Sequence, residues 1–353
     1  MRVLQVATDT DRRGAQVFAA ELAAILMERG FDVRTVALAP GFGRSALPFE
    51  VLGRRRLGPA TLRSLRSAIR SSDVVVGFGS TTLPACAVAS AFTGVPFVYR
   101  SIGDLRYWAP TPAKRLRVSR SLARAAAVVA LWPGAADTLV GEFGVDAARV
   151  HVIPRGVDPA SFTTIEHEER PALRRRLGLP QHAPIAAVVG SLAPEKAVPD
   201  AIRVAEAIPV LHLAIAGTGP LEPELRREAE VRAPGRVHFL GDLADPRPVY
   251  GAADLLLLAS LSEGVPGVVI EAGMCGRPAA ATDVGGTASV IEDGVTGRLA
   301  PPADPAKLTS AVEAVLREAR YLGGAARDSY VARFSLPRIG DQWADLLRST
   351  IAT

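Results

Sequence analysis

The sequence predicts an α/β protein built as two doubly wound domains. Three observations lead there. The chain has 353 residues, 48% of them hydrophobic and 22% charged, which is apolar material for two cores at about 100 to 200 residues per domain. Short apolar runs alternate with amphipathic stretches, the pattern of strands and helices that implies parallel sheets with right-handed crossovers. The alternation breaks over residues 156–181, where Pro159, Pro171 and Pro180 flank a charge-dense run, and then restarts.

Residues 3–7 and 33–39 read as buried strands either side of a helix over 15–29, which Gly30 stops. Residues 74–76, 97–99, 126–131 and 150–153 add strands, each after a helical or Ala-rich segment. Beyond the linker, strands are expected at 185–189, 211–216, 237–240, 255–258 and 278–282, with a last apolar turn near Leu299. The domains then run over 1–160 and 161–336. Open α/β sheets take ligands at the carboxyl ends of their strands, and two that face each other make a cleft.

Composition excludes several classes. Cys86 and Cys275 are too few for a disulfide framework or a Cys-rich metal site, and their apolar surroundings suit buried thiols in a reducing compartment. No apolar run reaches the roughly 18 residues of a membrane span, and MRVLQVATDT soon turns to Thr and Asp. No signal peptide or membrane helix is expected, and a cytoplasmic location follows. The formal charge of +5 hides an asymmetry: residues 1–160 carry 21 Lys and Arg against 12 Asp and Glu, whereas 161–353 carry 20 against 24. A basic first half favours an anionic partner.

The most specific constellation is SEGVPGVVIEA, Ser262 to Ala272. It follows the apolar run LLLLAS and sets Glu263 and Glu271 eight residues apart around Gly264, Val265, Pro266 and Gly267. A strand ends, a Gly/Pro loop turns, and a helix begins whose unsatisfied N–H groups favour a phosphate. Both carboxylates then lie near one ligand and can accept hydrogen bonds from sugar or ribose hydroxyls. A solvated loop Glu and an ordinary helix Glu fit the same spacing.

This segment resembles the E-x7-E motif of the retaining glycosyltransferases of family 4, which have the GT-B fold. GSLAPEKAV at 190–198, AGTGP at 216–220, VHFLGDL at 237–243, CGRPAAATDVGG at 275–286 and DGVTGRL at 293–299 match in the same order. HVIPRGVD at 151–158 resembles the family's strand and loop before its second domain. Carried over by position, the resemblance makes Glu263 a ligand of the donor sugar, with Gly264 and Val265 beside it, and Glu271 a ligand of the nucleotide ribose. Lys196 would neutralise the donor diphosphate and the charge building on the leaving group, although a surface lysine is the alternative. Glu263 and Lys196 are thus the catalytic candidates, and Gly14, Ser191, Gly217 and Gly219 complete the donor set. The resemblance also implies a final helix over 337–353 packed back on the first domain, no metal, and no cofactor beyond the nucleotide diphosphate sugar itself.

The chain departs from the family in three places. Ser191 stands where an Arg usually precedes the Lys, and Arg155 or another Arg of the basic half would have to compensate. At the first helix Gly14 fits the second glycine of a pair, with Arg13 in place of the first. The His often found beside the reacting sugar is replaced by Phe78 and Ile102, and the five His residues, at 151, 167, 182, 212 and 238, lie elsewhere. In its stead Arg100, Ser101, Asp104, Arg106, Tyr107 and Trp108 follow a strand end, where an aromatic could stack on a sugar while charges bind hydroxyls or phosphate. A polar loop with a half-buried Trp reads equally well. Arg100, Asp104, Arg106 and Trp108 are the acceptor candidates.

Other signals are weaker. Asp9 and Asp11 form a D-x-D, a metal signature of a different glycosyltransferase fold, against which the rest of the chain argues. Gly217 and Gly219 fail as a dinucleotide fingerprint because Glu222 holds the third position. Two basic amphipathic runs, Arg54 to Arg70 with the apolar stripe Leu57, Thr61, Leu65 and Ile69, and Lys114 to Arg124 with Leu116 and Leu122, suit either ordinary surface helices or peripheral contact with an anionic membrane at its inner face. Nucleic acid is not expected, since neither run has interleaved aromatics. The reading is a metal-independent, retaining glycosyltransferase that moves a sugar to a hydroxyl of a glycan, glycolipid or phosphorylated acceptor. Its rival is a noncatalytic nucleotide-sugar-binding protein derived from the same fold.

Overall fold

The computed structural model describes residues 1–42, 46–103, 105–165 and 168–352. The chain divides into two compact units, Met1–Gly156 with Leu336–Thr353, and Val157–Ser335. The divisions fall slightly before residues 160 and 336, because Val157 N–H donates to Phe334 O and so joins the second unit.

Unit 1 runs β1 (Arg2–Ala7), α1 (Gly14–Glu28), β2 (Asp32–Ala37), β3 (Glu50–Val51), α2 (Pro59–Arg70), β4 (Val74–Phe78), α3 (Thr82–Ala89), β5 (Phe97–Arg100), α4 (Leu105–Trp108), α5 (Pro112–Leu122), β6 (Ala127–Ala130), α6 (Pro133–Gly141) and β7 (Val150–Val152). Its seven strands are ordered β3-β2-β1-β4-β5-β6-β7 and all pair in parallel. The order reverses between β1 and β4, which places the switch point there. Both faces of the central strands are covered, so β4 and β6 are continuously apolar and alternate residues serve opposite cores. Val74, Val76, Phe78 and Val98 face a core with Phe18 and Leu22 of α1; Val75, Phe97 and Tyr99 face the other, with Leu65, Ile69 and Leu83.

Unit 2 continues with α7 (Arg170–Arg176), β8 (Ile185–Val189), α8 (Val198–Ala207), β9 (His212–Ala216), α9 (Glu222–Arg232), β10 (Val237–Gly241), α10 (Arg247–Ala252), β11 (Leu255–Leu258), α11 (Gly267–Met274), β12 (Ala279–Thr282), β13 (Gly297–Ala300) and α12 (Pro305–Phe334). Its six parallel strands run β10-β9-β8-β11-β12-β13, with the reversal between β8 and β11. Asp254, just before β11, accepts from Arg170, Arg174 and the N–H of Ile185, which fixes the start of β8. The last helix, α13 (Leu336–Ala352), belongs to unit 1, where Leu336, Ile339, Trp343 and Leu347 complete the core over α1.

Candidate functional site

In unit 2 the loops after β8, β9 and β11 meet at the switch point. After β8 the chain passes through Ser191 and a turn over Pro194–Lys196, then enters α8 through Ala197 in the left-handed region (φ 44°, ψ 43°). A non-glycine residue held there costs on the order of 1 to 3 kcal/mol, strain that clusters at functional sites. It fixes Lys196 over the loop that follows β11, and the Leu261 N–H reinforces this by donating to Glu195 O at 2.8 Å. Lys196 Nζ then donates to Glu263 Oε1 at 2.6 Å, and Ser260 Oγ donates to the same oxygen at 2.7 Å. The two charges assigned to different parts of a ligand thus hold each other.

Glycines let the surrounding loops close in. Gly217 has φ +145°, and a Cβ on it would lie 1.8 Å from Gly190 O. A Cβ on Gly285 would lie 1.8 Å from Glu263 O, so the β12 loop presses directly on the motif. Gly219 packs similarly on Leu192 O, and Gly286 N–H donates to Gly264 O at 2.7 Å. Val265 and Pro266 are buried, and α11 starts at Gly267 with no side-chain cap and no acidic residue in its first turn. Its first N–H groups and partial positive charge are therefore available to an anion. Glu271, one turn into α11, is 6% exposed and its Oε2 accepts from Tyr250 OH at 2.9 Å. Ser191 is exposed.

Neither Ser260 nor Tyr250 stood out in the sequence. Ser260 lies three residues before Glu263 in a run otherwise read as the end of a strand, and Tyr250 reaches Glu271 across 21 positions. The glycine of the CGRPAAATDVGG run that presses on Glu263 was legible as part of the matching motif, though not as a contact.

In unit 1, Gly14 is the first residue of α1, and Arg155 Nη1 lies 3.7 Å from where its Cβ would stand. Asp9 is fully buried and accepts from Arg13 at 2.7 Å, Arg56 at 2.7 Å and Gln16 at 2.8 Å. Asp11 also accepts from Arg13 at 3.0 Å, so the D-x-D is bound up with arginine. Arg100 ends β5 and is 2% exposed, whereas Arg106 is exposed on α4 and 3.7 Å from Glu142. Asp104 lies outside the described residues, as do the side chains of Tyr107 and Trp108, so their juxtaposition with Arg100 is not described. Phe78 and Ile102, in the places of the absent His, pack against the core of α1 and α13.

The remaining signals resolve in simpler ways. His212 and His238 stack on one another near the starts of β9 and β10, at the sheet end opposite the motif. Of the apolar stripe of the first basic run, Thr61, Leu65 and Ile69 are buried in unit 1 whereas Leu57 is half exposed; in the second run Leu122 is buried and Leu116 is exposed. Among the described residues no helix is long and apolar enough to cross a membrane, and no group of three His, Cys, Asp or Glu could hold a metal ion.

Comparison with known proteins places these features. Residues 12–161 match the family model described as Glycosyltransferase Family 4, and residues 183–318 that described as Glycosyl transferases group 1. The chain is 32% identical to a D-inositol 3-phosphate glycosyltransferase of Geodermatophilus obscurus over 94% of this chain and 83% of that one. It is 33% identical to a 2-deoxystreptamine glucosyltransferase of Streptomyces kanamyceticus over 56% and 52% of the two chains. Among solved structures, Anabaena HepE in complex with UDP and glucose superposes with a TM-score of 0.89 over 99% of this chain and all of that one, at 21% identity. WaaG, a glycosyltransferase involved in lipopolysaccharide biosynthesis, gives a TM-score of 0.76 over 98% and 99% at 19% identity.

Proposed function

Because the chain belongs to glycosyltransferase family 4 and has the GT-B fold, we propose that it transfers a sugar, with retention at the anomeric carbon, from a uridine diphosphate sugar to an acceptor hydroxyl. The observation that carries this is the Lys196–Glu263 pair, held 2.6 Å apart at the switch point of unit 2 beside the uncapped start of α11. The uridine base is suggested by HepE, whose structures contain UDP and UDP-glucose.

When the donor binds, its diphosphate takes the ammonium of Lys196 and the N–H groups of α11, and the sugar hydroxyls take the Glu263 carboxylate. Ser260 keeps that carboxylate oriented, and Tyr250 does the same for Glu271, which receives the ribose hydroxyls. As the glycosidic bond lengthens, charge builds on the diphosphate oxygen, and the preplaced ammonium stabilises it without reorganisation. The acceptor hydroxyl then attacks from the face the diphosphate leaves and passes its proton to the departing diphosphate oxygen, a route that needs no enzymatic nucleophile. Unit 1 supplies the acceptor contacts, drawn from Arg100, Asp104, Arg106 and Trp108, and the acceptor is a glycan, glycolipid or phosphorylated molecule handled at the cytoplasmic side. Divalent metal is not required, so turnover should continue in excess chelator.

The test is incubation of the purified protein with uridine, guanosine and adenosine diphosphate sugars, following release of nucleoside diphosphate. Slow hydrolysis of a uridine diphosphate sugar, and formation of the alkyl α-glycoside from an α-linked donor when a simple alcohol replaces water, are the expected results. Absence of binding and hydrolysis with every donor would overturn the proposal.

A further inference from the structure

We infer that unit 1 carries a phosphate site of its own at the start of α1, where the guanidinium of Arg100, beside Arg155, receives a phosphoryl group of the acceptor. The strand alternation that buries Val98 on the α1 face puts Arg100 on that face too. Its guanidinium carbon lies 4.2 Å from the ring centroid of Phe18, one turn into α1, and the residue is 2% exposed. Nε has no acceptor, and no described residue forms a hydrogen bond or ion pair with this side chain. The buried carboxylate of the unit, Asp9, is already engaged by Arg13, Arg56 and Gln16.

A buried, unanswered cation is expensive to a fold unless something else binds it. The surroundings say what that is. α1 starts at Gly14 with no side-chain cap and no acidic residue in its first turn, so N–H groups and partial positive charge face outward. Arg155 Nη1 lies next to Gly14, and its charge bears on Arg100. Burial first, and Arg155 second, bring the Arg100 pKa down to about 9, which still leaves it charged at neutral pH. The planar fork of Arg100 and the N–H groups of a helix start together suit a tetrahedral oxyanion. One phosphate dianion gives the buried guanidinium of Arg100 the counter-charge that no described residue supplies.

The inference rests on the transferase reading only in naming the acceptor as the source of the phosphate. The probe is labelled inorganic phosphate in equilibrium dialysis with the full chain, with and without saturating UDP. One phosphate per chain should bind in the presence of UDP and equally in Lys196→Ala, with at least a tenfold loss in Arg100→Met. Arg100→Met should also raise the melting temperature of the ligand-free protein, because it removes a buried charge without a counterion. Arg100→Lys, which keeps the charge and loses the fork, should bind phosphate several-fold more weakly than the parent and serves if the Met variant does not fold. Phosphate binding abolished by UDP would mean that the donor diphosphate occupies the site and would overturn the acceptor assignment. Phosphate binding unchanged in Arg100→Met and Arg100→Lys would overturn the site itself. UDP binding, measured separately, decides the transferase reading, so the two can fail independently.

Discussion

Replacing Lys196 by Ala and Glu263 by Gln, singly and together, separates the two roles of the ion pair. Nζ and Oε1 are 2.6 Å apart, with side-chain exposures of 25% and 10%. The pair is too buried for the 0 to about 1 kcal/mol of a surface salt bridge and too wet for the roughly 3 to 5 kcal/mol lost on breaking a buried one. A charge-assisted hydrogen bond of about 1.5 to 3 kcal/mol is the appropriate scale. Lys196→Ala should therefore weaken UDP binding by about 10- to 100-fold, at about 1.4 kcal/mol per tenfold. Glu263→Gln behaves differently, since in the free protein the carboxylate competes with the diphosphate for the ammonium. UDP should bind that variant at least as tightly as the parent, while transfer slows because the departing sugar loses its charged acceptor. In the double variant the gain disappears, because there is no ammonium left to release. Calorimetric titration with UDP gives the four affinities, and release of UDP from a donor sugar gives the four rates. Equal weakening of UDP in both single variants, with no coupling in the double, would refute the competition between carboxylate and diphosphate.

Gly217→Ala should destabilise unit 2 and abolish UDP binding, because its Cβ would meet Gly190 O at 1.8 Å on a backbone with φ +145°; denaturant titration and calorimetry check both. Trp343→Ala should cost about 3 to 5 kcal/mol of unit 1 stability in urea, since the indole is fully buried and 6.3 Å from the Phe78 ring. The His212–His238 pair, with Nδ1 and Nε2 3.0 Å apart, should make unit 2 less stable as pH falls below about 6.5. Burial lowers the pKa of both, and in His212 the charges of His238, Arg236 and Arg174 add to it. The unfolded chain then binds protons that the folded one refuses, so this stability is complete above the unfolded value and is lost below it; a His238→Phe variant whose urea midpoint keeps the parent's slope between pH 5 and 7 would refute this.

The α/β rhythm was legible because both sheets are covered on both faces, which makes runs such as VVVGF and LLLL apolar throughout. The two-residue strand β3 was not, since Glu50 and Val51 are exposed and carry no periodic signal. The motif around Glu263 was legible for a related reason. Gly217 and Gly285, in the loops that close around it, are demanded by backbone contacts as close as 1.8 Å, and a need that only one residue type satisfies leaves a fixed spacing in the sequence. Tyr250 and Ser260 meet their partners through side chains that other residues could replace, and so leave no spacing to read.

Arg100 shows the limit from the other side. In sequence it was one of several polar residues after a strand, and the basic half of the chain offered many other arginines. What sets it apart is burial and the lack of a partner among the described residues, neither of which a one-dimensional pattern carries. Alternation along β5 assigns its face, but only the ring of Phe18 below it and the engagement of Asp9 by other groups show that its charge is unanswered. The same physics accounts for the surface arginines that looked equally significant. Arg66 donates to Ala91 O at 2.7 Å and Arg124 to Ala87 O at 3.1 Å, each tying a helix or loop to its neighbour. A cation that completes the backbone bonding of its own fold has no call on a ligand; one that is buried without such a bond has.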